Sequence, residues 1–139
     1  MVIHMFKFIA TSIVALNLMA ASAYAEGTDP DCRSTETVTT LKEVWPALFA
    51  CYNGIPNAED SEISLIFSLH RNGTLIGKPQ VSARHVQGDE AQQRAFENSV
   101  LEAIDKALPL PFSDSMGSAI AGRVLAVRIK GDGDWSVRY

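Results

Sequence analysis

The sequence predicts an α+β fold: a three-stranded antiparallel sheet with helices packed on one face, in the order helix, strand, strand, helix, strand. Three observations carry this. Glu62–Arg71 alternates, with Ile63, Leu65, Phe67 and Leu69 on one side and Ser64, Ser68 and His70 on the other, the period of a half-buried strand. Asn72-Gly73 follows directly, a pair that accepts the backbone angles of a tight hairpin. After Asp89, the residues Phe96, Val100, Ala103, Ile104 and Ala107 recur at helical spacing. A hairpin makes the first two strands antiparallel, and the helix that follows can lie across their apolar face.

The remaining elements fall in order. Ser34 or Thr35 can cap a first helix, with Glu36 suited to its positive end. Val38, Leu41, Val44 and Trp45 form its apolar stripe. Pro46 is expected to start a new turn, Leu48, Phe49 and Tyr52 continue the face, and Asn53-Gly54 stops it. Ile55 to Asp60 reads as a loop. A second strand is expected over Thr74–Arg84, bulged or at an edge because Gly77 and Pro79 interrupt it. Asp89 and Gln92 make a capping box for the long helix. That helix should end at Leu108-Pro109-Leu110-Pro111. Ser113–Ala121 reads as a small-residue loop. Gly122–Lys130 reads as the last strand, with Leu125, Val127 and Ile129 inward, Arg128 and Lys130 outward and Arg123 flanking. Gly131–Tyr139 is expected to be a tail, with Trp135 and Tyr139 packed back.

The N-terminus has the three parts of a secretory signal: Lys7, an apolar run over Phe8–Met19, and the small-x-small site Ala23-Tyr24-Ala25. Residues 1–25 are therefore expected to be a cleaved signal peptide, residues 26–34 a short polar entry, and residues 35–139 a single domain. The competing reading is an uncleaved anchor, for which Thr11, Ser12, Asn17 and Ser22 dilute the run. Cleavage near Ala25 implies a periplasmic or secreted protein with no membrane span in its mature form. The chain holds 12 basic and 16 acidic residues, and the signal carries one base, Lys7, and no acid. Losing it leaves 11 against 16. A net negative domain with scattered Lys and Arg argues against nucleic acid or an anionic membrane as partner.

Two cysteines in an exported chain fit one disulfide, Cys32–Cys51. An unbroken helix over Thr35–Ala50 would hold its ends about 24 Å apart, whereas a disulfide needs Cα atoms within about 7 Å. The bridge therefore requires a break, for which Pro46 is the natural place. The other reading is two separate buried or free thiols.

No pattern specifies chemistry. His70 and His85 are the only histidines after the signal, and no HExxH or CxxC motif accompanies them, so no metal or cofactor is expected. Glu59, Asp60 and Glu62 read as a solvated acidic loop. Gly131-Asp132-Gly133-Asp134 faintly suggests calcium but lacks the later ligands. Ser113, Ser115 and Ser118 have no evident base partner. Trp45, Phe49, Tyr52 and Phe67 are simplest as core, while Phe112 and Trp135 are candidates for exposed anchors.

The ordered set of motifs resembles the TonB/TolA C-terminal domain family over about Val44 to Lys130. The carrying residues are Ala50-Cys51-Tyr52 with Pro56 after them and Phe67-Ser68-Leu69-His70-Arg71-Asn72-Gly73-Thr74-Leu75. Ala103-Ile104, the Leu108–Pro111 exit and the last amphipathic strand complete the set. The resemblance implies a non-enzymatic periplasmic interaction module that docks a partner segment, often by adding a strand to the sheet edge. Energy-transducing members keep an anchor and a long arm; the cleavable segment and short entry depart from that. Some TolA-like members pair a cysteine near Cys51 with one before the Pro-rich exit, where this chain has Lys106-Ala107, so Cys32 would be the alternative partner.

The expected binding surface is then the last strand as sheet edge, with Arg123, Leu125, Val127, Arg128 and Lys130 meeting a segment of an envelope protein. A homodimer could use the same edge to cover unpaired strand groups. The alternative is a small periplasmic hydrolase or inhibitor with its site in the Pro109–Ala121 loop.

Overall fold

Ile63, Leu65 and Phe67 point the same way from one strand and are almost completely buried, which fixes the side of the sheet on which the core forms. The computed structural model describes residues 31–137; the signal-peptide reading, residues 26–30 of the entry and the expectation for Tyr139 lie outside them. The elements are α1 (Leu41–Leu48), β1 (Glu62–Phe67), β2 (Gln80–His85), α2 (Glu90–Ala107), α3 (Asp114–Ile120), β3 (Leu125–Lys130) and β4 (Trp135–Val137). Among the described residues no helix is long and apolar enough to cross a membrane.

The fold is α+β, as expected, with a larger sheet. Four strands stand in the order β2-β1-β3-β4, and every neighbouring pair is antiparallel. The expected three-stranded sheet is thus corrected by β4, which pairs Val127 with Val137, Arg128 with Ser136 and Ile129 with Trp135. Its turn is tight because Gly133 takes φ +99° and the Lys130 N–H donates to the Asp134 carbonyl at 2.8 Å. The expected loop Ser113–Ala121 is mostly helical. Ser113 Oγ accepts from the Met116 N–H, capping α3, and Asp114 lies in the first turn.

The first helix begins later than expected. Glu43 Oε2 accepts from the N–H groups of Thr39 and Thr40 at 2.7 and 3.1 Å, so the start is at Thr40 rather than Ser34 or Thr35. These bonds hold the Glu43 carboxyl below its usual value, with the Thr39 N–H as the main cause. Pro46 lies inside α1 on its exposed side and does not break it. The chain ahead of Thr40 is extended instead. Val38 bridges to Phe112 in parallel, and this brings Cys32 back to Cys51 with a Cα separation of 5.1 Å. The disulfide forms as expected, by a break at Thr40.

At the tip of the first hairpin, His70 N–H donates to the Thr74 carbonyl and Gly73 N–H to the His70 carbonyl. Only Gly73 takes a positive φ, +85°, in a three-residue loop; a side chain there would also meet the Leu110 backbone. The second strand is confined to Gln80–His85. The segment before it makes one bridge, Leu69 to Leu75. The capping box of α2 forms as read: Asp89 accepts from Gln92 N–H, and the Gln92 side chain accepts from Asp89 N–H. Of its buried stripe, Phe96, Val100, Ala103 and Ile104 join the strand residues and Leu48, Phe49 and Tyr52 of the α1 region in one core. Burying side chains of this size contributes about 1.5–3 kcal/mol each.

Candidate functional site

Among the described residues the opposite face of the sheet carries no helix, so its side chains and its two outer strands are where a partner could meet the backbone. Register places Glu62, Ser64 and Ile66 of β1 beside Ala126, Arg128 and Lys130 of β3 on this face. The residues are short toward the middle. Ser64, Ile66, Ser82, Ala83, Ala126 and Ser136 line a shallow groove of about 520 Å³. Arg128 crosses to Glu62 at 3.8 Å, both partly exposed, an ion pair that orients the guanidinium along the sheet more than it stabilises it.

The expected edge residues divide. Leu125 and Val127 are in the core, at 7 and 3% exposure, and have no side-chain surface to offer. Arg128 and Lys130 are half-buried on the open face, and Arg123 is exposed just before the strand. The strand that holds them is interior: β1 pairs along one side of β3, and β4 pairs along the other over Val127–Ile129. The last long strand is therefore not the sheet edge. The physical reason is the three-residue β4, whose pairing uses the backbone groups that strand addition to β3 would need.

Two strands are outermost, and they differ. β4 is buttressed. Trp135 stacks on Phe49 with ring centroids 5.5 Å apart, and Tyr52 donates its hydroxyl to the Lys130 carbonyl at the turn. Burial, with a smaller effect from the Asp132 carboxylate, pushes the Tyr52 hydroxyl up to about 12. Phe112 and Trp135, candidates for exposed anchors, are both half-buried against the core. By contrast, β2 is exposed at Gln80 and at every residue from Ser82 to His85, with only Val81 half-buried. Ser64 pairs with Ala83 but Leu65 with Val81, leaving Ser82 as a bulge whose hydroxyl reaches the Ser64 carbonyl at 3.3 Å. Arg84 turns to the helix side and pairs with Glu97 of α2. No strand pairs with the outer side of β2 among the described residues.

Other candidates resolve into structural roles. His85 lies opposite Glu62 at the start of β1 and His70 at the hairpin tip beyond its end, so the strand separates them. Among the described residues no three His, Cys, Asp or Glu gather as a metal site. Asp132 and Asp134 accept from the Asp134 and Trp135 N–H groups, as turn residues do. In the Pro109–Ala121 segment, Ser113 caps α3 and its hydroxyl lies 3.2 Å from that of Ser115.

The second strand is bulged and at an edge, as Gly77 and Pro79 indicated, but the sequence reading put the binding surface on the last long strand instead. It missed β4 although Asp132-Gly133 is the same kind of hairpin signal as Asn72-Gly73.

No curated protein and no solved structure matches the chain. A family match spans residues 34–132, most of the sequence and nearly all of the fold described above, and by it the chain belongs to the family described as Uncharacterised conserved protein UCP034077.

Proposed function

We propose that this protein is an exported, non-enzymatic interaction module of the cell envelope that binds an extended segment of a partner protein along β2. The observation that carries the reading is the contrast between the two outer strands: neither has a strand on its outer side among the described residues, but the side chains of β2 are exposed whereas Trp135 of β4 is packed on Phe49. A strand added there would gain backbone hydrogen bonds, with alternate side chains reaching the open face on one side and Arg84 on the other. The bulge at Ser82 limits the contact to short runs on either side of it, which also guards the edge against pairing with copies of itself. Export is read from the signal-like N-terminus and fits a disulfide-bonded domain. The resemblance to TonB/TolA C-terminal domains belongs to this reading, with the docking edge on β2 instead of the last long strand.

Photo-crosslinking tests it. The full chain carries a crosslinking side chain at Ala83 on β2 or at Ser136 on β4, and each version is used to retrieve partners from an envelope extract. Partner adducts through Ala83 and none through Ser136 are expected. Adducts through Ser136 alone would sink the β2 assignment. Light scattering on the same protein gives a monomer under this reading; a dimer whose Ala83 positions crosslink to each other would assign the edge to self-association.

A further inference from the structure

The chain holds two Asn-Gly pairs, and the fold treats them differently. An asparagine followed by glycine can react with its own backbone. The glycine nitrogen has no side chain beside it as a shield, and asparagine is among the thermally labile residues. The reacting atoms belong to adjacent residues, so nothing has to bring them together; the fold can only hold them apart. At Asn72-Gly73 it does. Asn72 Oδ1 accepts from the Thr74 N–H at 3.1 Å and from the Thr74 hydroxyl at 2.6 Å. Gly73 is buried, its N–H donates to the His70 carbonyl at 3.0 Å, and its carbonyl accepts from the Leu110 N–H at 3.1 Å. At Asn53-Gly54 no such restraint exists. Asn53 is exposed, and neither its side chain nor the Gly54 N–H makes a hydrogen bond among the described residues. Asn53 lines a hollow of about 210 Å³ against Ser99 and Ala103 of α2, which leaves its amide room to turn.

We propose that Asn53 is a self-modification site, deamidating in the folded protein while Asn72 is held unreactive, and that the isoaspartate formed there loosens the β4 edge. The Gly54 nitrogen attacks Asn53 Cγ. The new N–Cγ bond forms as the bond from Cγ to the amide nitrogen breaks, and ammonia leaves with the Gly54 proton. Water then opens the ring. Opening at Cγ gives aspartate; opening at the main-chain carbonyl gives isoaspartate, with one more methylene in the backbone. The place of that methylene matters. On one side of it Tyr52 donates its hydroxyl to the Lys130 carbonyl, and on the other the Ile55 N–H donates to the Gly131 carbonyl at 2.8 Å. Gly54, between them, lies so near the turn that a side chain on it would come within 2.8 Å of the Gly131 carbonyl oxygen. Lengthening the chain between two anchors on consecutive carbonyls of the β3–β4 turn strains both, and the turn they hold opens more readily. The site is independent of the β2 edge, so either assignment can fail alone.

The test is incubation of the full chain in mildly alkaline buffer, folded and in parallel unfolded in urea with the disulfide reduced, followed by peptide mapping in a mass spectrometer. In the unfolded chain the two pairs are expected to react at similar rates. In the folded protein Asn53 is expected to go on reacting, with Asn72 slowed at least tenfold relative to it. Equal rates at the two sites of the folded protein overturn the proposal, as does an Asn53 that stays intact while the unfolded chain converts. The isoaspartate form, separated by ion exchange, is expected to exchange the amides of Trp135–Val137 at least threefold faster than fresh protein and those of Glu62–Phe67 no faster. Unchanged exchange along β4 overturns the loosening. Asn53→Gln, at an exposed position, does not form the five-membered ring and is expected to keep its β4 exchange constant through the same incubation. A rise equal to that of the wild type would place the cause elsewhere in the chain and overturn the assignment to Asn53.

Discussion

The two outer strands of one sheet have been treated in opposite ways. On the β4 side, Phe49, Tyr52 and Trp135 close over a three-residue strand, Tyr52 clamps the Lys130 carbonyl, and Cys51 sits in the same segment, tied to Cys32. On the β2 side, six strand residues hold half-buried Val81, a bulge and one exposed ion pair to α2. The shorter strand is the better secured. The difference teaches that strand length does not decide which edge is available; what packs behind the strand does. A short edge fastened by aromatic packing resists local opening, whereas a longer edge with little packing opens readily, which is why the proposed docking edge is β2.

The largest expected effect comes from untying the closed side. Replacing both cysteines, Cys32→Ser with Cys51→Ser, releases the extended segment before α1 and is expected to cost about 3 kcal/mol of stability in urea unfolding. A loss under about 0.5 kcal/mol would mean that Val38–Phe112 pairing alone holds that segment. Next is Trp135→Ala, which removes the stacked ring behind β4. A loss of about 2 kcal/mol is expected for this half-buried side chain. If amides of Val127–Ile129 then exchange as quickly as those of β2, Trp135 is what closes the edge.

Tyr52→Phe should be smaller, about 1 kcal/mol for the bond to the Lys130 carbonyl, and it carries a pH signature. Folding raises the Tyr52 hydroxyl from its ordinary 10.0 to about 12. The protonated form is favoured in the fold, so its contribution is complete below pH 10 and is lost as pH rises through 12. The difference between wild type and Tyr52→Phe, followed by chemical denaturation, should therefore shrink across that window. A constant difference would place Tyr52 in water. The smallest effect belongs to the open side. Arg84→Ala is expected to change stability by about 0.5 kcal/mol, as partly exposed ion pairs do. A loss above about 2 kcal/mol would show that β2 is fastened after all.

Much of this asymmetry was written in local sequence, and part of it was not. The alternation of Ile63, Leu65 and Phe67, the Asp89–Gln92 capping box and the inward set Leu125, Val127 and Ile129 are local signals, and all three elements formed where they pointed. The start of α1 was legible in Thr40-x-x-Glu43, a capping pattern, but Ser34 or Thr35 followed by Glu36 offers a competing start. α3 escaped because Gly117, Ser115 and Ser118 disfavour a helix, and burial of Met116 and Ile120 outweighs propensity there. β4 escaped because three residues cannot display a period; its existence depends on Phe49, far away in sequence, stacking on Trp135. The candidate edge was read from the two-faced pattern of the last long strand, and β4, pairing beside it, makes that strand interior.

The most direct test of the open edge is residue-resolved amide hydrogen exchange on the full chain, alone and with a partner retrieved by crosslinking. In the free protein, alternate amides of Gln80–His85 that face away from β1 should exchange rapidly, and those of the paired Val127–Ile129 should be protected. Partner binding should then protect the β2 amides and leave β4 unchanged. Protection that develops along Trp135–Val137 while Gln80–His85 continues to exchange freely would contradict the account.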